Sequence, residues 1–304
     1  MTSRRAFLKR ASLGLGAVAL AEGSAATGAA AGADGRAGAV TEDLFKIAVA
    51  GFTFHKFGLE ESLQMLQQAD VHYLCIKDFH LPLTSSAEQI AAFHALCKGY
   101  GVTGYGVGPI YMGTEDAARK AFEYAQRCGV RIVIGVPSKT VEINGKKETI
   151  GSRELLQYIE GLCKEFDIKY AVHTHGPDMP LLFPTVESCI ELIRDLDERV
   201  GVCFDMGHQY RFGRDPIAAM RQYGNRIHDI HIRNVTENTK RGSDTPVPRG
   251  KIDIPAFIRA VRETGFAGAL SLEYAKDSGD KAKLLLGVAE SIGYIRGVAD
   301  ATRG

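Results

Sequence analysis

The chain has no tryptophan, and its six cysteines, Cys75, Cys97, Cys128, Cys163, Cys189 and Cys203, include no C-x-x-C pair. Scattered through apolar stretches, they read as reduced, buried small side chains, not as a disulfide framework or a thiolate metal knuckle. Charge of one sign is missing as well. Lys and Arg number 37 against 36 Asp and Glu, a net charge of +1, with no basic block in the body. That excludes a nucleic-acid groove and an acidic-lipid surface as expected partners. Proline is sparse, 10 residues against 34 glycines, and the absence of low-complexity tracts fits a compact globular chain. The turn Gly51-Phe52-Thr53-Phe54 is not the G-x-G-x-x-G that cradles a dinucleotide phosphate.

The 304 residues are 45% hydrophobic and 24% charged, which suits one large domain or two small ones. Ser3-Arg4-Arg5-Ala6-Phe7-Leu8-Lys9 precedes an apolar stretch from Ala11 to Ala21 and an Ala/Gly-rich run to about Ala39. Twin arginines before a short apolar segment predict a twin-arginine export signal, and hence a periplasmic or secreted protein. The apolar segment is too short to span a bilayer, so no stable membrane anchor is expected. Residues 1–42 are assigned to the signal and a disordered linker, and 43–304 to the catalytic domain.

Over the body, apolar strands alternate with amphipathic helices eight times. The strands are expected at Lys46–Phe54, His72–Phe79, Val102–Ile110, Arg131–Val136, Lys169–His175, from Val200 towards His208, Ile227–Asn234 and Gly268–Tyr274. A polar insertion, Pro137–Gly151, reads as an exposed hairpin or loop. Eight such pairs in this length predict a (β/α)8 TIM barrel, an α/β fold, over a doubly wound open sheet.

Reactive groups in such barrels sit at the C-terminal ends of the strands. Side chains two apart share a strand face. His173 and His175 therefore share one face of the fifth strand; Asp229, His231 and Arg233 share one of the seventh; Ser271 and Glu273 share one of the eighth. Asp205 ends the sixth strand, three residues before His208. His173, Asp205, His231 and Glu273 would then converge on one mouth, a donor set suited to one divalent ion such as Mn, Co, Zn or Mg. Lys77 closes the second strand, where it could hold a substrate oxygen, act as a base or pair with a neighbouring carboxylate. His80 lies just beyond. Phe52 and Phe54 could wall the site, although core packing suits one of them.

Four pieces, C-F-D-M-G-H (203–208), H-D-I-H-I-R-N (228–234), R-G-K-I-D-I-P-A-F (249–257) and S-L-E-Y (271–274), make the chain from about Phe45 to Val298 resemble the sugar phosphate isomerase/epimerase family of xylose isomerase-like TIM barrels. The resemblance implies Asp205, His231 and Glu273 as metal ligands, with His208 and Arg233 touching substrate. Relatives usually carry Glu where His173 stands. The H-T-H-G-P run (173–177) and K-D-F-H-L-P (77–82) resemble an exported subgroup, some of whose members eliminate across C1 and C2 of 3-keto-glycosides. The expected function is metal-dependent enolisation of an unphosphorylated keto-sugar, giving isomerisation or epimerisation. His175, His208, Glu273 and Lys77 are the candidate catalytic groups, and Arg233, His80 and Phe54 the candidate substrate contacts. Elimination from a 3-keto-glycoside and non-catalytic sugar binding by a periplasmic barrel are the alternatives. The sequence is also compatible with a homo-oligomer. An abasic-site nuclease of the same superfamily would need further metal ligands and a basic groove, and neither is visible.

Overall fold

The computed structural model describes residues 43–303; the twin-arginine stretch and the linker after it lie outside the described residues. Eight parallel strands close on one another: Lys46–Ala50, Tyr73–Ile76, Thr103–Met112, Ile132–Ile143, Lys169–His173, Val200–Asp205, Ile227–Ile232 and Ala269–Leu272. The first pairs with both the second and the eighth, and the third pairs with the fourth to shut the barrel. Full closure leaves the barrel sheet without a free edge.

The helices start where short polar residues satisfy the free N–H groups of a first turn. Ser86 and Gln89 form a capping box at helix Ala87–Gly99. Thr114, Ser152 and Thr185 cap Glu115–Arg127, Arg153–Phe166 and Val186–Ile193. Asp215 caps Pro216–Tyr223, with proline at the first helical position. Leu59–Gln68, Ile254–Glu263 and Lys281–Ala301 complete the outer ring. Phe122, Tyr124, Tyr170, Phe204 and Phe257 fill the layer between strands and helices. A small separate cluster of Cys75, Ile134, Ala171 and Cys203, with Tyr105 and Ile132 packed on it, plugs the interior of the barrel. All six cysteines are free and buried. Among the described residues no helix is long and apolar enough to cross a membrane.

Two local expectations need correction, and the polar insertion takes the hairpin of its two expected forms. The first strand stops at Ala50, and Gly51–Phe54 forms a 3₁₀ turn. Gly51 makes that turn possible, because a Cβ there would lie 2.6 Å from the Cys75 carbonyl oxygen and 2.9 Å from Lys77 Cβ. The insertion is a hairpin in which the fourth strand runs on to Ile143 and pairs antiparallel with Lys146–Gly151. Its turn residues Asn144 and Gly145 both have positive φ, 51° and 74°, as the tightest hairpin turns require. After the sixth strand the chain enters an unforeseen short helix, Met206–Arg211, capped by Asp205.

Candidate metal and catalytic site

Strands five to eight are consecutive neighbours, and their register sets the site. His173 stands beside Cys203, Asp205 beside His231, and His231 beside Ser271. Glu273, two residues past Ser271, shares its inward face one layer higher. Its N–H, 3.2 Å from the Ile232 carbonyl, continues the ladder beyond the strand end.

The inward carboxylates and imidazole of Asp205, His231 and Glu273 meet, with one potential ligand atom from each within 4.8 Å of the others. Asp205 and His231 are fully buried and Glu273 is 5% exposed. Asp205 Oδ1 accepts from the His208 N–H at 2.8 Å and Oδ2 from Arg233 Nε at 2.9 Å. The N–H of Asp205 itself donates to Thr174 Oγ1. Arg233 also forks onto both oxygens of Asp244 at 2.8 Å and reaches Glu273 Oε1. One guanidinium therefore faces three carboxylates, an arrangement that compensates their burial.

Electrostatics follow from this crowding. Burial alone would raise Glu273, but Arg233 and then His231 hold its carboxyl well below the usual carboxylate range. Burial opposes charge on His231, yet Glu273, 2.8 Å away, raises it above an ordinary histidine. His173 is pushed well down by burial and then by His231, whose Nδ1 is 3.1 Å from His173 Nε2. His175 falls to about 4, by burial and the nearby His208. His208 itself is lowered by burial. Beneath them Asp229 rises to about 7 because it is buried, while Tyr105 donates to it at 2.8 Å and to Ser271 Oγ at 3.0 Å.

The donor set fits a divalent cation. Two carboxylates and an imidazole converge in a buried volume, and Nδ1 of His231 and Nε2 of His173 face one another where both cannot carry a proton. His173 Nδ1 and His231 Nε2, both buried, have no hydrogen-bond partner among the described residues. His173 enters the arrangement differently from the expected fourth ligand. It meets the trio through His231 and belongs to a second trio with Cys203 and His231. The sequence marks Cys203 only as a buried small hydrophobe. Its thiol is pushed well up by burial and by Asp229.

The other candidates divide. His175 lies by the trio, its ring 4.9 Å from that of His173. His175 Nδ1 is 3.2 Å from the His173 carbonyl, so Nδ1 carries the proton, and Nε2 accepts from the Tyr111 hydroxyl at 2.9 Å. His208 Nε2 is 3.6 Å from Asp205 Oδ2. Lys77 is 9% exposed and donates to Asp78 Oδ1 at 2.7 Å and the Pro109 carbonyl at 2.8 Å, the structural alternative to a catalytic role. His80 turns to the loop after the first strand, with Nε2 3.1 Å from the Phe57 carbonyl and 3.2 Å from Ser62 Oγ, so the structure does not bring it into the site. Phe54 is fully buried in the main core, while Phe52 is 39% exposed. Core packing therefore fits Phe54, and Phe52 is the one left exposed. Strand periodicity misses Tyr111 and Asp244. Tyr111 lies one residue beyond the expected end of its strand, and Asp244 sits in a two-residue strand that no periodicity marks.

Residues 50–297 match the family model described as xylose isomerase-like TIM barrel. A rhizopine catabolism protein MocC of Rhizobium meliloti is 28% identical over 155 residues, 46% of this chain and 46% of that protein. An inosose dehydratase of Clostridium perfringens is 23% identical over 197 residues, 55% of this chain and 65% of the enzyme. The chain thus spans about half to two thirds of the length of these relatives. Among solved structures, a zinc-bound IOLI protein shares 17% identity at a TM-score of 0.67, covering 84% of this chain and 99% of that one. A Mycobacterium smegmatis barrel in complex with magnesium shares 16% at 0.66, covering 87% and 100%. A closed ring of eight parallel strands with its charged groups at the C-terminal mouth, together with a family match across nearly the whole described body, shows that this chain belongs to the xylose isomerase-like TIM barrel family.

Proposed function

We propose that the protein is an enzyme that enolises an unphosphorylated keto-sugar or keto-cyclitol with the help of one divalent metal ion. The observation that carries the reading is the convergence of Asp205, His231 and Glu273 in a buried volume beside His175, whose unprotonated Nε2 is held by the Tyr111 hydroxyl. Asp205, His231 and Glu273 would hold the ion, and His173 stands as the next donor behind His231. A cation so held supplies Lewis-acid polarisation of a sugar carbonyl. Zinc and magnesium in the two similar barrels support a divalent metal without choosing one.

The protein's own residues do the rest. His175 Nε2 takes the proton from the carbon beside the carbonyl, the C–H pair becomes the new carbon–carbon double bond, and the carbonyl π pair moves onto its oxygen. Burial and the nearby His208 bring His175 down to about 4, so its ring is neutral at neutral pH. Arg233, pinned by Asp244, holds substrate oxygens, and His208 lines the same wall. Return of the proton to either carbon gives isomerisation or epimerisation.

Elimination is the second reading, and Tyr111 favours it. Its hydroxyl donates to His175 Nε2, so an acid stands beside the base, where a departing hydroxyl or alkoxyl group would need a proton. Relatives named inosose dehydratase and inosose isomerase span both outcomes. The twin-arginine segment supports export and hence an unphosphorylated substrate. The test is solvent-deuterium exchange into keto-sugars and inososes, read by proton NMR with and without added divalent metals. Exchange that needs both the metal and His175 is expected. A protein that binds sugar and exchanges nothing would be the non-catalytic binder instead.

A further inference from the structure

The barrel has a second opening, at the end where its strands begin. Lys46 opens strand one, Arg131 directly precedes strand four and Lys169 opens strand five. Arg131 and Lys169 are neighbours, because the Lys169 N–H donates to the Arg131 carbonyl and Lys169 pairs with Ile132. All three cations line one cavity of about 420 Å³, the size of a small-molecule site. His228, Tyr105 and Phe266 line it too, and no carboxylate does. Among the described residues, neither Lys46 nor Lys169 has an ion-pair partner; the Lys46 ammonium stands 5.8 Å from the centre of the Tyr73 ring instead. Arg131 meets Asp167 at 3.1 Å, but the two are 74% and 75% exposed, and such a surface pair is worth little. The unbalanced charge is felt at His228, where, after burial, Lys169 does most to lower the basicity of the ring. Tyr105 lines the inner side of the cavity, with its hydroxyl bonded to Asp229 and Ser271 in the barrel interior. Lys169 opens the strand that His173 ends, so four residues, roughly 13 Å of strand, separate the cavity from the metal site.

We propose that this cavity binds a small organic dianion, a phosphate ester or a dicarboxylate, at a site separate from the mouth. The anionic groups of the ligand take the place of the missing carboxylates beside Lys46, Arg131 and Lys169. Ammonium and guanidinium groups recognise phosphate and carboxylate oxygens through charge-assisted hydrogen bonds. Tyr105 and Phe266 offer an apolar surface to the carbon body between those groups. A concave space of this size takes one compact ligand. A nucleic-acid backbone would need a continuous basic track, and the net charge of the whole chain is only +1. The cavity shares no residue with the mouth, so the proposal stands or falls apart from the enolisation reading.

Calorimetry on the metal-loaded protein at fixed ionic strength tests this, with inorganic phosphate, glycerol 3-phosphate and succinate as probes and glycerol as the neutral control. At least one anion is expected to bind once per chain with a Kd of about 1 mM or tighter, and glycerol not to bind. Lys46→Gln/Lys169→Gln should weaken that anion about tenfold or more, while Asp205→Ala leaves it unchanged. Both lysines are exposed, so their replacement leaves the fold intact. In the unsubstituted protein the His228 ring signals in proton NMR should shift along the same binding curve. No saturable binding by any of the three anions, or an affinity that survives the double substitution, would overturn the site. Ring signals of His228 that stay fixed at saturation would do the same. So would loss of binding in Asp205→Ala, which would place the anion on the metal ion at the mouth.

Discussion

At or just past the C-terminal ends of strands five to eight stand His173, Asp205, His231 and Glu273, none more than 5% exposed, whereas at or past the ends of strands one to three stand Phe52, Phe79 and Tyr111, each exposed by 39% or more. One half of the mouth buries charge and the other exposes apolar surface, the reverse of what solvation alone would choose. In the charged half each group is held by another. Arg233 braces Asp205, Asp244 and Glu273, and Glu273 braces His231. In the apolar half the exposed rings have few such ties; Lys77, the one buried cation there, pairs with its own neighbour Asp78. The contrast teaches that braced, buried charge and exposed apolar surface occupy different sides of one opening, the former on strands in strict register and the latter at the strand ends and in the turns that follow.

Substitutions can break or sharpen this division. His175→Gln should lower the exchange rate by about 10²–10⁴-fold while bound metal, measured by elemental analysis, is retained. Equal loss of metal would move His175 among the ligands. Within the apolar half, Phe54→Ala should cost about 3–5 kcal/mol in denaturant unfolding, because its side chain is fully buried. Phe52→Ala should stay within about 0.5 kcal/mol. Comparable costs would erase the distinction between core and rim. Asp244→Asn should weaken metal binding or activity by roughly 10–100-fold through the loosened Arg233.

How much of this the sequence could reveal also follows the division. The charged half is legible because strands five to eight keep a period of two up to their ends, and that spacing alone places His173, Asp205, His231 and Glu273 on inward faces. The apolar half is not, because there the period changes. Alternation would put Phe52 and Phe54 on one face, but Gly51–Phe54 is a 3₁₀ turn, and at about three residues per turn the two rings diverge. His80 escapes the pattern for a related reason: its strand ends at Ile76, and the turn that follows carries the ring back to Phe57 and Ser62. Asp244 reaches Arg233 from a two-residue strand that carries no pattern at all. The cap Asp205 provides to Met206–Arg211 shows that a strand-end carboxylate can serve the backbone and the site together.

A pH-dependent effect lies at the opposite end of the barrel. His228, which donates to the Glu198 carbonyl, is lowered to about 4 by burial and then by Lys169. A depressed histidine means that the unfolded chain takes up its proton first. Its contribution is therefore complete above an ordinary histidine pKa near 6.5 and is lost as the pH falls towards 4. His228→Gln should flatten the loss of stability in that window by about 1–3 kcal/mol, followed by urea titrations at several pH values. An unchanged slope would place the acid sensitivity in the histidines of the mouth.

The claim beneath all of this is that Asp205, His231 and Glu273 share one cation. Titrating chelator-stripped protein with Co²⁺ and following its visible absorption measures it most directly. Saturation at one equivalent per chain, abolished in Asp205→Ala and displaced by Zn²⁺, is the predicted result; an identical titration of Asp205→Ala, or full deuterium exchange by the stripped protein, would contradict it.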